Sequence, residues 1–145
     1  MNIRQISIFL ENKAGQLSSI CHCLADAGVN IVALSLADTN DFGIVRMIVD
    51  DYEKAKDVLA KSGKAVNVRE VVAVCVPDIP GGMLKVLETL EKAEVDIEYS
   101  YAFSSGFLDK AVLVFRFSDN ECAAKALIRD GFKLLTEAEC LQLPR

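Results

Sequence analysis

Cys21, His22 and Cys23 stand consecutively in the stretch ENKAGQLSSICHCLADAGVNI, which runs from Glu11 to Ile31. Thiolate and imidazole together are the donors of a zinc site or the parts of an activated thiol nucleophile. The same stretch opens on Lys13-Ala14-Gly15, a glycine turn before a helix, where first-turn N–H groups are left free to receive a carboxylate or phosphate. A metal site, a nucleophile and an anion cradle are therefore all on offer. Leu17, Ile20, Cys21 and Leu24 recur at helical spacing and Gly28 supplies a stop, so the segment is a predicted helix. Consecutive side chains on a helix point about 100° apart, so the three residues do not converge on one ion. Cys21 falls in the apolar stripe and His22 on a solvated flank with Ser18 and Asp26.

No second Cys/His cluster completes four ligands, and neither a metal nor a cofactor is expected. His22 is the only histidine of the chain, so no Cys-His nucleophile pair is assembled. Asp50-Asp51, Glu137 and Glu139 read as helix N-terminal charges favoured by the dipole. No catalytic residue emerges, and the chain is expected not to be an enzyme.

Two loops are more informative: ENKAGQ and PDIPGGM each join a strand end to a helix start through glycine. A tight turn that needs glycine only for its backbone angles is the alternative to a ligand cradle. Neither loop carries G-x-G-x-x-G, and no G-x-x-x-x-G-K-[ST] occurs, so a small ligand fits better than a nucleotide.

The loops belong to a repeat. Shifted by 66, NKAGQLSSICHCLADAGVNI lies over DIPGGMLKVLETLEKAEVDI, with Gly15 over Gly81, Leu24 over Leu90 and Val29-Asn30-Ile31 over Val95-Asp96-Ile97. Further on the register is read as 69, a three-residue insertion, which sets Asp50 over Asp119 and Leu59 over Ile128. Each copy reads strand, helix, two β-rich runs, helix, strand. Ile6, Ile8 and Leu10 alternate in the first strand, as do Val72, Val74 and Val76 in its second-copy counterpart. The runs Ile31 to Ala37 and Ile44 to Val49 flank the turn DTNDFG, a helix runs from about Tyr52 to near Gly63, and a short strand at Ala65 to Val68 ends the copy. In the second copy Thr136 and Glu139 have capping-box spacing for one more short helix.

The order βαββαβ, twice, predicts an α+β chain of two tandem ferredoxin-like units, 1–68 and 69–145, each an antiparallel sheet with its helices on one face. Units of about 70 residues bury only about 60% of their unfolded surface, so the two are expected to pack together. The net charge of -5 and the lack of a Lys/Arg run speak against nucleic acid and anionic membranes as partners. Hydrophobic residues make up 52%, yet no apolar run approaches the ~20 residues of a membrane span. The strand pattern begins at once, leaving no room for a signal peptide, and five cysteines in apolar surroundings read as packing in a reducing compartment. The expected location is the cytoplasm.

NKAGQLSSICHCLADAGVNI and DIPGGMLKVLETLEKAEVDI both resemble the ACT domain signature, roughly [DN]-x-P-G-x-L, a helix, then G-[IV]-N-I. The resemblance covers nearly the whole chain as a stand-alone tandem ACT protein. It implies regulatory binding of a small ligand, most often a free amino acid, between two ACT units whose sheets join side by side, modulating an enzyme of amino-acid metabolism or the protein's own assembly, expected to be a homodimer. By motif the ligand-binding residues are Asn12, Lys13, Ala14, Gly15 and Gln16 with Asn30 and Ile31 in the first copy. In the second they are Asp78, Ile79, Pro80, Gly81 and Gly82 with Asp96 and Ile97. Pairing within one chain would set the second loop against Asn30; pairing between chains would bring Asn12 to Asn30.

Three departures from the signature stand out: Ala14 for proline, Asp96 for asparagine, and Glu94 for the glycine that ends the helix, which must then end differently. The two sites should differ, the one using Asn30 binding more tightly. Tyr99, Tyr101 and Phe103 read as cross-strand packing or a pocket lining, and SSGFLD, with Phe107 and Leu108, as a hairpin tip or a partner contact. A ligand-free interaction subunit that uses the fold to dimerise is the alternative function.

Overall fold

The computed structural model describes residues 2–11, 13–38, 41–103 and 109–143. Asn12, Thr39 and Asn40 of the first hairpin turn, and Ser104 to Leu108 with the expected tip residues Phe107 and Leu108, lie outside them. The described residues form seven strands and five helices: β1 (Ile3–Glu11), α1 (Gln16–Asp26), β2 (Ile31–Asp38), β3 (Phe42–Val49), α2 (Tyr52–Lys61), β4 (Val66–Pro77), α3 (Gly82–Lys92), β5 (Ile97–Ala102), β6 (Lys110–Phe117), α4 (Asn120–Arg129), β7 (Lys133–Leu135) and α5 (Glu137–Leu141). This is the α+β, twice βαββαβ order, with one economy. The two short strands expected on either side of Arg69 are a single β4, because VNVREVVAVCVP contains no glycine and meets proline only at its last residue.

The chain divides into an N-terminal unit, Arg4–Arg69, and a C-terminal unit of Glu70–Arg145 with Met1–Ile3. In the first, β3 pairs antiparallel with both β1 and β2, opposing Ile6 to Met47 and Ile8 to Val45. These four side chains, with Ile20 and Leu24 of α1 and Ala55 and Leu59 of α2, form one core that Val66 of β4 also touches. Fully burying a Leu or Ile side chain is worth about 1.5–3 kcal/mol, so each helix is held by its one apolar stripe.

In the second unit β4 pairs with β6 and with β7, and β6 pairs with β5, all antiparallel. Val72 faces Phe115 and Val74 faces Leu113 in register. Val86 and Leu90 of α3 and Ala123 and Leu127 of α4 close that core, in which the Phe115 and Phe117 rings stack 5.3 Å apart. Tyr99 and Tyr101 are half-buried on β5 and oppose Arg116 and Val114.

The equivalent positions of α2 and α4 correct the expected register of 69. Asp51 and Asp119 are the N-caps, Ala55 and Ala123 are both buried, and so are Leu59 and Leu127, a shift of 68 and an insertion of two residues. The capping carboxylates decide it, since each accepts an N–H from the residue three positions on. The short α5 begins with the expected capping box: Thr136 Oγ accepts from the Glu139 N–H at 3.2 Å and Glu139 Oε1 from the Thr136 N–H at 3.1 Å. Cys140 on α5 is buried, and burial pushes its thiol up to about 12.

Candidate ligand site at the strand–helix loops

Helices α1 and α3 begin alike. Gly15 is the N-cap of α1 at φ 89° and Gly81 that of α3 at φ 86°, a left-handed conformation that glycine adopts without strain. Neither helix receives a side-chain cap. The other three do, from Asp51, Asp119 and Thr136. The Gln16 and Gly82 N–H groups turn back to the Lys13 and Ile79 carbonyls at 3.4 and 3.0 Å, which leaves the first-turn amides of Leu17 and Ser18, and of Met83 and Leu84, with no acceptor from their own helix. Those amides, at the positive end of the helix dipole, suit a carboxylate.

Lys13, Ala14 and Gly15 are exposed and Gln16 is half-buried; in the second loop Asp78, Ile79, Pro80 and Gly81 are exposed and Gly82 is buried. Lys13 Nζ pairs with Glu11 at 2.9 Å. A Cβ on Gly82 would stand 2.2 Å from the Pro77 carbonyl oxygen, so the second loop closes on a backbone contact that only glycine permits. Asn12 lies outside the described residues.

The starts of β2 and β5 also correspond. Asn30 is exposed, and its N–H donates to Asp50 Oδ1 at 2.9 Å while its carbonyl accepts from the Asp50 N–H at 3.0 Å. Asp96, also exposed, donates to Ser118 Oγ at 3.3 Å and accepts from the Ser118 N–H at 3.0 Å. The strand register shifts between Ile31 and Ala33, and again between Ile97 and Tyr99. A bulge re-aims side chains, and here it sits beside Asn30-Ile31 and Asp96-Ile97 in both units. Ile31 is half-buried, while Ile97 is 38% exposed. Asp50, expected as a helix charge, instead holds Asn30; the capping falls to Asp51 alone. Nothing in the Asp-Asp pair announces that division of labour.

Within a unit the loop and the second-strand start are not brought together. They flank α1 or α3, each of 11 residues, and a helix of that length spans about 16 Å. Each unit thus carries its glycine loop and its second-strand start at opposite ends of one helix.

The expected difference at Glu94 is overturned. Glu94 adopts φ 56°, the counterpart of Gly28 at φ 72°. Both helices close with the same pair of bonds, Gly28 N–H to Ala25 and Val29 N–H to Leu24 in one, Glu94 N–H to Glu91 and Val95 N–H to Leu90 in the other. The two helices end in the same left-handed turn, and the glutamate carries the strain.

His22, exposed on the flank as expected, pairs with Asp26 at 3.3 Å. The stripe residue is Cys23 rather than Cys21: Cys23 packs on the first core, its Sγ donating to the Val58 carbonyl at 3.4 Å and lying 3.2 Å from Ser62 Oγ. Among the described residues no three His, Cys, Asp or Glu side chains cluster as ligands for a metal ion. Open grooves of about 540 and 580 Å³ lie between α1 and α2 and between α3 and α4, lined by residues such as His22 and Lys61 or Lys92 and Arg129, away from the loops.

A family model described as an ACT domain pair matches residues 1–143. The crystal structure of protein BT0572 from Bacteroides thetaiotaomicron is similar with a TM-score of 0.92 at 38% identity, over 99% of this chain and 98% of that one. The regulatory subunits of aspartate kinase from Thermus thermophilus, in a ligand-free form, and from Thermus flavus share the fold, with TM-scores of 0.64 and 0.56 and 16% identity each. They cover 88% and 89% of this chain, which in turn covers 92% of each. No curated protein matches the chain. Among the described residues no helix is long and apolar enough to cross a membrane. The twice-repeated loop, helix and bulge, together with a family match that runs from residue 1 to residue 143, establish that this chain belongs to the ACT domain pair family.

Proposed function

We propose that this ACT domain pair is a regulatory protein of the cytoplasm that binds a free amino acid or similar small metabolite at its strand–helix loops. The observation that carries the reading is the contrast among its helices: α2, α4 and α5 are capped by their own side chains, and the two that open from the family's loops are not. The uncapped amides suit an α-carboxylate, and the exposed Asn30 side chain offers both a donor and an acceptor to a zwitterion.

Because the loop and the strand start lie at opposite ends of a helix, a ligand that touches both kinds lies between two ACT units, as the family resemblance implies. The residues proposed are Asn12 to Gln16 with Asn30 and Ile31, and Asp78 to Gly82 with Asp96 and Ile97. A ligand this small binds with a dissociation constant of roughly micromolar to millimolar. Differential binding then shifts a partner enzyme of amino-acid metabolism, or the assembly of a homodimer, by about 1–3 kcal/mol. The aspartate kinase regulatory subunits, which share the fold, supply the model of such a pair acting on an enzyme. The protein itself performs no reaction.

Thermal unfolding in the presence of each of the twenty L-amino acids at millimolar concentration tests the reading. Ligand at ~100 times its dissociation constant adds about 2.7 kcal/mol, which raises Tm by roughly 5–10 °C in a chain of this size. A flat response to all twenty would leave the protein as a ligand-free interaction subunit.

A further inference from the structure

The two loops are surrounded by different side chains. Position by position, Ile79 replaces Lys13, Pro80 replaces Ala14, Met83 replaces Leu17 and Leu84 replaces Ser18. Leu17 lies against its own core, whereas Ile79 is 62%, Met83 42% and Leu84 56% exposed. In the chain these three stand on either side of the Gly81 turn, Met83 and Leu84 within the uncapped first turn of α3. The first loop presents instead the Lys13–Glu11 ion pair, Gln16 and Ser18. Backbone N–H groups donate to the carboxylate of any amino acid alike, so discrimination falls to the side chains around them.

We propose, on the functional reading above, that the two loops select ligands of opposite character: the Asp78–Gly82 loop an amino acid with an apolar side chain, the Lys13–Gln16 turn one with a polar or charged side chain. An aliphatic side chain seated on Ile79, Met83 and Leu84 removes apolar surface from water on both partners. At the first loop the same side chain would desolvate Lys13 and Ser18 without hydrogen-bonding either, and a polar one would not.

Isothermal titration of the full chain with L-leucine, L-isoleucine and L-methionine, and separately with L-aspartate, L-glutamine and L-lysine, tests this on two exchange variants. Ile79→Lys with Leu84→Ser should weaken binding of the apolar set by about tenfold or more, the scale of losing a methylene or two from an apolar pocket, and leave the polar set within about twofold. Lys13→Ile with Ser18→Leu should do the converse. Unchanged affinity for the apolar set in the first variant would overturn the proposal, as would wild-type protein that binds only the polar set. A first variant that alters the elution volume in size-exclusion chromatography but not ligand preference would also overturn it, assigning the patch to contact with a second copy. Wild-type protein that binds no amino acid sinks the functional reading as well, whereas amino-acid binding indifferent to both exchanges sinks this inference alone.

Discussion

The N-terminal and C-terminal units share a backbone and solve its demands with different residues. Where α1 closes on Gly28, α3 closes on Glu94 in the same left-handed conformation. Where the first loop tolerates Gln16, the second is closed so tightly that Gly82 abuts the Pro77 carbonyl. Where Asp50 holds Asn30, Ser118 holds Asp96, so each strand start keeps one carboxylate but at swapped positions. The difference teaches that hydrogen-bond geometry is the repeated quantity, and the side chains carried on it are free to diverge.

Substitutions sharpen the comparison. The largest effect is expected at the second loop: Gly82→Ala places a carbon against backbone, and overpacking of that kind costs about 1–3 kcal/mol. Gln16→Ala, at the matching site, should move stability by no more than about 0.5 kcal/mol. Urea unfolding of the pair would measure this, and equal losses would mean the two loops close alike. At the helix ends Glu94→Gly should stabilise by about 1 kcal/mol and Gly28→Ala destabilise by about 1–2 kcal/mol, the cost of a Cβ in the left-handed region. Opposite shifts in the urea midpoint are the expected result; a destabilised Glu94→Gly would show that the glutamate side chain contributes something the geometry does not reveal.

The smallest effect at neutral pH belongs to α5, which has no counterpart in the N-terminal unit. Burial raises the Cys140 thiol from its ordinary 9.0 to about 12, so the folded chain keeps a proton that the unfolded chain releases. That contribution is complete below about pH 9 and is lost as the pH climbs toward 12. Cys140→Ala should flatten the alkaline decline in stability followed by urea titration at successive pH values, and an unaltered decline would remove the thiol from the account.

Much of this architecture was legible in the residues. The doubled loop and helix, the stop at Gly63 and the Thr136–Glu139 box announce themselves because each rests on local chemistry. The later register did not, since Val58-Leu59 and Leu127-Ile128 are adjacent apolar pairs that match at either of two shifts, and Asp50-Asp51 offers two carboxylates where one caps. The choice of Cys23 over Cys21 depends on where α2 lies, which the spacing within α1 cannot specify. Around the candidate site, the glycine loops and strand starts were legible as structural features, but not their separation along a helix, the tether of Asn30 to Asp50, or the exposure of Met83 and Leu84.

Glu94 has a consequence for how such repeats are found. A glutamate in a conformation suited to glycine means that the turn does not depend on the residue that favours it, held as it is by the Val95-to-Leu90 hydrogen bond and the core beneath. A search that demands glycine before the Val-Asn-Ile stretch would pass over this second unit. In this duplicated fold the two copies agree at that turn in backbone angle and not in letter, and recognising such copies calls for comparing the former.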